Sequence, residues 1–540
     1  MAQFFWKSTF TCFILSILPF RAFVQNIPFE SGNLPLFLID TKGQSIQDDP
    51  KIIAELKIID QGQGKRNTLN DPPAYQGKIG IEYRGKFSQM LPQKPYGFET
   101  LDSMGKEINV SLLGFPKEND WILLANYNDK SFVRNSMIFS VFSKMGHYAP
   151  RAKHCEVFIN QQYQGIYVFT EKIKRDKNRV DIPKMDLDDN AGDSITGGYI
   201  FKIDYSEGDD YWTSNYYPAG YRRNSVRFIY TYPAWDEITN PQKNYLKNHI
   251  DRFEDALYDN RYRDEATGYR KYIDLLSFVD YFIIGELTRN VDAYKKSCHY
   301  SKQADSEGGL IYAGPVWDFD WAMKNFNECI YRNTDGSGWA WKIHECSPSP
   351  VPPDWIKRMM TDPVFVNKIY DRYFSLRNSL LSGSFLFSYI DSVSALLDEA
   401  QQRHYRKWPI LGKNVGTYEV DAIPDTFEGE IEKLKDWFAL RLAWLDANMP
   451  GEPSESDLFC SSERSVRVFP NPFSNQLTVQ SDKGIRSLEI LSMDGNVIGF
   501  FPCNSNVWSE SLSFLPKGIY FVRTTSSLQE TTYLKILKNN

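Results

Sequence analysis

The stretch Gly314–Asn325 reads "GPVWDFDWAMKN" and sets two carboxylates, Asp318 and Asp320, among aromatic neighbours. Burying a carboxylate is costly unless it is ion-paired or holds a cation. The segment therefore demands a partner for its acids. Upstream, "DYFIIGELTRNVDAYKKSCHYSKQ" (Asp280–Gln303) sets Asn290 and Asp292 just past an expected helix over 268–289. The order that follows is Asn-x-Asp, strand, short turn, strand and Trp-Asp-Phe-Asp. Two acidic loops are thus separated by one hairpin.

Around this centre the chain changes character. From Ile27 to about Asp181 alternating, β-branched segments such as "KIIAELKIID", "GKIGIEYRG" and "QGIYVFTE" predict half-buried strands, interrupted by one helix over 130–146. After "GGYIFKIDY" helical spacing dominates, over 241–260, 268–289, 353–381, 385–406 and 426–448, with strands at "CHYSK" and "LIYAGPVWDFD". A strand-rich first half and a helix-rich second half imply an α+β, two-lobed body spanning 27–449. "PGEPSESD" opens a polar linker over 450–464, and about seven short strands after it predict a small β-sandwich over 465–540.

The N-terminus carries one Lys and then an apolar run too short to cross a bilayer comfortably, so residues 1–25 read as a secretory signal peptide. A membrane anchor that is kept is the alternative. No later stretch is apolar enough to span a membrane. A net charge of -6 gives no sign of a nucleic-acid partner. Export permits disulfides: Cys329 with Cys346 and Cys460 with Cys503 would each close a loop, and buried thiols serve equally well. No Cys-x-x-Cys pair or His cluster suggests zinc.

The tail motifs "VRVFPNPFSNQLTV", "SLEILSMDGNVI" and "LPKGIYFVRTTS" with the closing "YLKILK" resemble the C-terminal sorting domain of type IX secretion cargo. That resemblance implies passage to the outer-membrane surface or the medium, with the secretion machinery as partner.

In the body, acids on adjacent loops suit phosphoryl transfer. One Asp positions the accepting hydroxyl, and others hold Mg²⁺ against phosphates. The spacing resembles the catalytic loop and metal-binding Asp of protein-kinase-like folds. With "IEYRGKFSQMLPQKPYGFET", "LGFPKENDWILLANYNDKSFVRNSM", "YQGIYVFTEKIKRDKNRVDI" and "GGYIFKID", the chain resembles the CotH family, named after a spore-coat protein kinase. The resemblance covers about Leu34 to Asn448. It implies an atypical kinase-like fold that uses ATP and Mg²⁺ or Mn²⁺ to phosphorylate Ser in a protein substrate.

Carried over by motif, Asp292 matches the catalytic Asp and Asp318 the metal-binding Asp. Asn290 either helps hold metal or orients Asp292. Asp320 offers an oxygen to the metal or serves as scaffold. Lys202, on an expected strand, corresponds to the ATP-pairing Lys, with Glu171 as its ion-pair partner. Arg84, Ser88 and Lys94 flank a turn in the place of a Gly-rich phosphate loop, with a solvated surface charge as the plainer reading of each basic residue. The rival to catalysis is a surface adhesion or scaffolding module on the same fold.

Overall fold

The computed structural model describes residues 27–452 and 466–539, apart from 206, 207, 209, 222–224, 347, 417, 493–495 and 527–530. The expected signal peptide and most of the linker lie outside the described residues. The chain divides into two compact units, Met1–Met449 and Pro450–Asn540.

In "IIAELKII" the side chains of Ala54, Leu56 and Ile58 are buried while Glu55 and Lys57 are exposed. This period of two is what a strand with one face on a core produces. The first half is built from β1 (Leu36–Asp40), β2 (Ile52–Ile59), β3 (Tyr75–Tyr83), β4 (Tyr96–Leu101), β5 (Asp120–Ala125), β6 (Ala152–Ile159) and β7 (Gln162–Glu171), of which β5, β6 and β7 are buried along most of their length. These strands close into a barrel in the order β1-β2-β3-β4-β5-β7-β6. All pairings are antiparallel except the closing one, where Leu36–Ile39 run parallel to Glu156–Ile159. Phe37, Phe98, Trp121 and Phe169 fill the interior, with Phe98 and Phe169 stacked at 6.3 Å. The barrel is a packed core, so chemistry belongs at its rim.

One helix, α1 (Arg134–Lys144), leaves the barrel between β5 and β6. A second sheet follows, built from β8 (Tyr199–Ile203), β9 (Tyr211–Thr213), β10 (Arg227–Tyr232), β11 (Cys298–Lys302) and β12 (Ile311–Ala313), in the order β12-β11-β8-β10-β9. The helices of this half are α2 (Asn240–Tyr258), α3 (Leu275–Thr288), α4 (Trp355–Met359), α5 (Pro363–Arg377), α6 (Gly383–Lys407) and α7 (Phe427–Asn448); α3 packs beside β12 of this sheet, and α6 packs against β7 of the barrel. The helix expected over 353–381 is broken in two. Asp362 caps α5 by accepting from Val364 N, and Pro363 lacks the N–H to continue α4. Of the possible disulfides, Cys329–Cys346 is formed, with Cα atoms 5.5 Å apart; Cys460 lies outside the described residues.

The second unit contains β13 (Val466–Phe469), β14 (Gln476–Leu491), β15 (Val497–Ser511), β16 (Gly518–Ser526) and β17 (Thr531–Lys538). These form one hydrogen-bonded sheet in which β15 pairs along β14. Where about seven short strands were expected, five are described. The difference arises because β14 and β15 run on through register shifts near Ile485 that a turn-based reading takes for breaks.

The helical half is tied to the barrel by a buried ion pair. Arg403 of α6 donates to both carboxylate oxygens of Glu156 on β6, at 2.8 and 2.7 Å. Tyr163 adds a third hydrogen bond at 2.8 Å. Glu156 is fully buried. Arg403→Met should therefore destabilise the larger unit by about 3 kcal/mol, since removing one partner leaves an unpaired buried charge. Urea denaturation followed by tryptophan fluorescence measures it.

Candidate functional site

The expected strand through Trp-Asp-Phe-Asp ends early, at Ala313. Gly314 takes φ 111° and Asp318 φ 69°, so the chain leaves the sheet and turns back. At Gly314 a side chain would also meet the Phe142 ring, 3.1 Å from where its Cβ would sit. Left-handed backbone is uncommon outside glycine and persists when its surroundings enforce it. Those surroundings come from the start of α1. Asn135 Oδ1 accepts from Phe319 N at 2.8 Å. Arg134 donates to the carbonyls of Ala322 (3.0 Å) and Met323 (3.3 Å), and is itself held by Asp129 at 2.5 Å. The sequence "NDKSFVRNS" is thus a clamp on the acidic loop.

The second loop begins where α3 stops, at Arg289 in a left-handed conformation with φ 42°. Asn290 follows and spans the gap: its Oδ1 accepts from Asp292 N at 3.0 Å and its Nδ2 donates to Asp318 O at 3.1 Å. Its amide thereby positions both loops. The backbone then hangs on the Asp292 carbonyl, which accepts from Lys295 N (3.2 Å) and Lys296 N (3.0 Å). That turn folds Lys296 back, and its Nζ lies 2.9 Å from Asp292 Oδ2. Lys295 Nζ stands 4.0 Å from Oδ1.

The charges of these loops act on one another. Burial raises the Asp292 carboxyl above its ordinary range, Lys296 pulls it back, and the negative charge of Asp318 raises it further. Burial alone would lower Lys296, but Asp292, Asp318 and Asp204 outweigh it and hold the ammonium above its usual value. Asp320 is pushed up to about 8, first by burial and then by the charge of Asp318 and a hydrogen bond with it. Asn128 Nδ2 donates to Asp320 Oδ2 at 3.3 Å. Ser297 Oγ donates to Asp318 Oδ2 at 3.0 Å. Among the described residues no group of three or more His, Cys, Asp or Glu side chains stands together as a metal cage. The oxygen pair Asp318–Asp320 is what a hard cation would find. Beside Asn290, Lys296 and Ser297 lies a cavity of about 10 Å³.

The structure distributes the remaining expected residues unevenly. Lys202 projects from β8 opposite His299 of β11. Burial, then the charges of Lys202 and Arg84, push that histidine down to about 3, so these two cations share its neighbourhood. The expected pairing of Lys202 with Glu171 is corrected. Lys202 pairs with Asp204 at 3.5 Å, while Glu171 is buried and engaged by Arg151 at 2.7 Å and Arg179 at 3.8 Å. The reason is topological: Glu171 ends a barrel strand and Lys202 lies in the second sheet.

The turn after β3 reaches the acidic loop. Arg84 lies over the Trp317 ring at 5.4 Å. Phe87 meets Trp321 edge-on at 5.2 Å, and Lys86 sits over Tyr205 at 5.3 Å. Arg84 is lowered to about 10 by burial, with Asp318 opposing. Gly85 takes φ 74° with the Ser88 hydroxyl packed where a Cβ would project, so the turn requires glycine there. Lys94 donates to Gln89 O at 2.6 Å and closes the turn internally.

Sequence reasoning missed Asp204, Lys296, Ser297 and Asn128. Asp204 had a usable signal, since it lies two residues past Lys202, on the same side of an extended chain. Lys296 and Ser297 had none, because a turn hung on a single carbonyl leaves no periodicity, and Asn128 lies in the irregular loop between β5 and α1.

A closed barrel joined to a second sheet and a helical half, with two acidic loops bridged by Asn290, defines a mixed α and β protein with a preorganised acidic centre. The profile described as CotH kinase protein matches residues 81–445, more than half of the chain; the chain belongs to this family. A second profile, the secretion system C-terminal sorting domain, matches residues 467–539. No curated protein matches the chain. The sorting domain marks the protein as type IX secretion cargo, bound for the cell surface or beyond it. Among the described residues no helix is long and apolar enough to cross a membrane.

The tail has its own core, centred on Leu477, Leu488, Trp508 and Val522. Deleting residues 465–540 should leave the body folded, with its melting temperature within about 2 °C, since separately cored units unfold independently, and should leave it retained in the periplasm. Immunodetection on intact cells against periplasmic extracts measures this, and surface signal from the truncated protein would overturn the assignment of the tail.

Proposed function

We propose that the protein is an atypical serine kinase acting outside the cytoplasm, transferring the γ-phosphoryl group of ATP to a Ser hydroxyl of an extracytoplasmic protein. The observation that carries this reading is the bridge through Asn290, which holds Asp292 and Asp318 within mutual electrostatic range. In the two-lobed reading, the barrel and second sheet serve as one lobe and the helices as the other. Asp292 accepts the Ser hydroxyl proton as the serine oxygen bonds to the γ-phosphorus. The bond from that phosphorus to the β,γ-bridging oxygen breaks, and ADP leaves with the electron pair.

Asp318 and Asp320 fit Mg²⁺ or Mn²⁺. They are hard oxygen donors close enough to share a hydrogen bond, and Mg²⁺ on a nucleotide needs only one or two carboxylates beside the phosphates. A cation there would neutralise phosphate charge and polarise the transferred group. Lys202 and Arg84 supply positive charge from the second sheet and the β3–β4 turn, and that turn excludes water when seated against Trp317 and Trp321. An adhesion or scaffolding role on the same fold draws on one observation: the cavity of about 10 Å³ has room for a water rather than a nucleotide.

The two readings separate in a thermal-shift titration. ATP with Mg²⁺ or Mn²⁺ should raise the melting temperature of the wild-type protein, because a ligand that binds only the native state stabilises it. Asp318→Ala should abolish that shift. Asp292→Ala should keep the shift and lose transfer of labelled phosphate by about 1000-fold. No shift in the wild-type protein with either cation would favour adhesion.

Proton linkage gives an independent check. Asp320 retains its proton up to about pH 8, and a cation must displace it. Affinity for Mn²⁺ should therefore climb up to about tenfold per pH unit from pH 6 and level off above about 8. Calorimetry in buffers of different ionisation enthalpy should register the released proton at pH 7. A pH-independent affinity would exclude Asp320 as a ligand.

A further inference from the structure

We propose that Lys296 is a further catalytic residue, one that neutralises Asp292 while the site is empty and transfers its ammonium to the moving phosphoryl group when nucleotide is bound. The inference rests on the kinase reading above. Lys296 is the cation nearest the acid assigned as base, with Nζ 2.9 Å from Asp292 Oδ2. Its position is built rather than accidental. Tyr294 at φ 67° and Ser297 at φ 54° bracket Lys295 and Lys296 with left-handed backbone. The two intervening N–H groups both point at the Asp292 carbonyl. Cys298 Sγ and the Lys296 carbonyl lie 3.1 Å apart, closing the end of the turn.

The charge balance argues for a movable ammonium. Lys296 feels three carboxylates, those of Asp292, Asp318 and Asp204. Of these, Asp204 already has Lys202 at 3.5 Å. A divalent cation arriving at Asp318 and Asp320 would repel the lysine, and phosphate oxygens would attract it. Its side chain is 28% exposed, against 8% for Lys295, so Lys296 is the one of the pair that an incoming ligand can reach. A four-carbon stem lets the head move without the backbone. Leaving Asp292 frees the oxygen that takes the hydroxyl proton. Lys296 keeps its own proton throughout, acting as a charge rather than as an acid.

Lys296→Met and Lys296→Arg test this through two readouts that move in opposite directions. Without nucleotide, Lys296→Met removes a competing cation, so Mn²⁺ alone, followed by electron paramagnetic resonance, should bind about tenfold more tightly than to wild type. With ATP and Mn²⁺, the same variant should lose about 100-fold in kcat with a much smaller change in KM for ATP, as expected for a contact strengthened in the transition state. Lys296→Arg should stay near wild type in Mn²⁺ affinity and recover part of the rate. Weaker Mn²⁺ binding together with a lowered melting temperature in both variants would mark a structural lysine and overturn the proposal. So would a Lys296→Met rate within about twofold of wild type. If the wild-type protein itself neither binds Mn²⁺ nor transfers phosphate, the kinase reading fails first and this inference falls with it.

Discussion

One side-chain amide holds the acidic centre together. Asn290 must present its oxygen to the Asp292 N–H and its nitrogen to the Asp318 carbonyl, and only one orientation of the amide satisfies both. Two loops separated by a complete hairpin thereby acquire a fixed spacing, set by the width of a carboxamide. Neither an acid nor a hydroxyl of the same size could donate and accept at these two points without a change of protonation or rotamer. The Asn290 oxygen accepts one hydrogen bond here and keeps a second lone pair.

The bridge works because each loop is held from behind by a different helix. The start of α1 grips the 318–323 segment through Arg134 and Asn135, and Phe139 stacks on Trp317 at 5.4 Å. The end of α3 supports the other loop. Buried Glu286 accepts from Tyr294 OH at 3.0 Å and from the backbone of Ala340 and Trp341, both at 2.8 Å. Left-handed residues gather here, at Arg289, Tyr294, Ser297 and Asp318. Each costs on the order of 1 kcal/mol, and such strain persists only where the surroundings over-determine it. The hydrogen bonds from α1 and α3 are those surroundings.

The regular parts of this fold were legible in the sequence for a plain reason. Alternation in "IIAELKII" and helical spacing in α6 and α7 are repeated signals, so many residues vote for one answer. Acidic residues amid aromatics were legible as a demand for partners; the structure shows Ser297 donating to Asp318 and Asn128 donating to Asp320. What the sequence hid was tertiary: closure of the barrel by a parallel β1–β6 pair, the assignment of Glu171 to one sheet and Lys202 to another, and the fold-back of Lys296. In each, a single contact decides the outcome, and no periodicity announces it. The Lys202–Glu171 error is instructive. Charge complementarity along a sequence says nothing about which sheet each strand joins.

Where the protein travels bears on how the site is built. The loop closed by Cys329–Cys346 lies directly behind the Asn290–Asp292 segment. Tyr331 within it donates to Asn290 O at 3.5 Å, and Arg289 donates to Asn333 O at 3.0 Å and Ser337 O at 2.6 Å. Val291 packs against Tyr331 and Ile343 in the same cluster. Closing a loop of this size restricts the unfolded chain by an amount worth about 3 kcal/mol, and disulfides are rare in the reducing cytoplasm. The sorting domain marks a destination, at the cell surface or beyond it, that is also non-reducing. The support behind Asp292 is thus reinforced once the chain reaches an oxidising compartment, a step that precedes sorting by the tail.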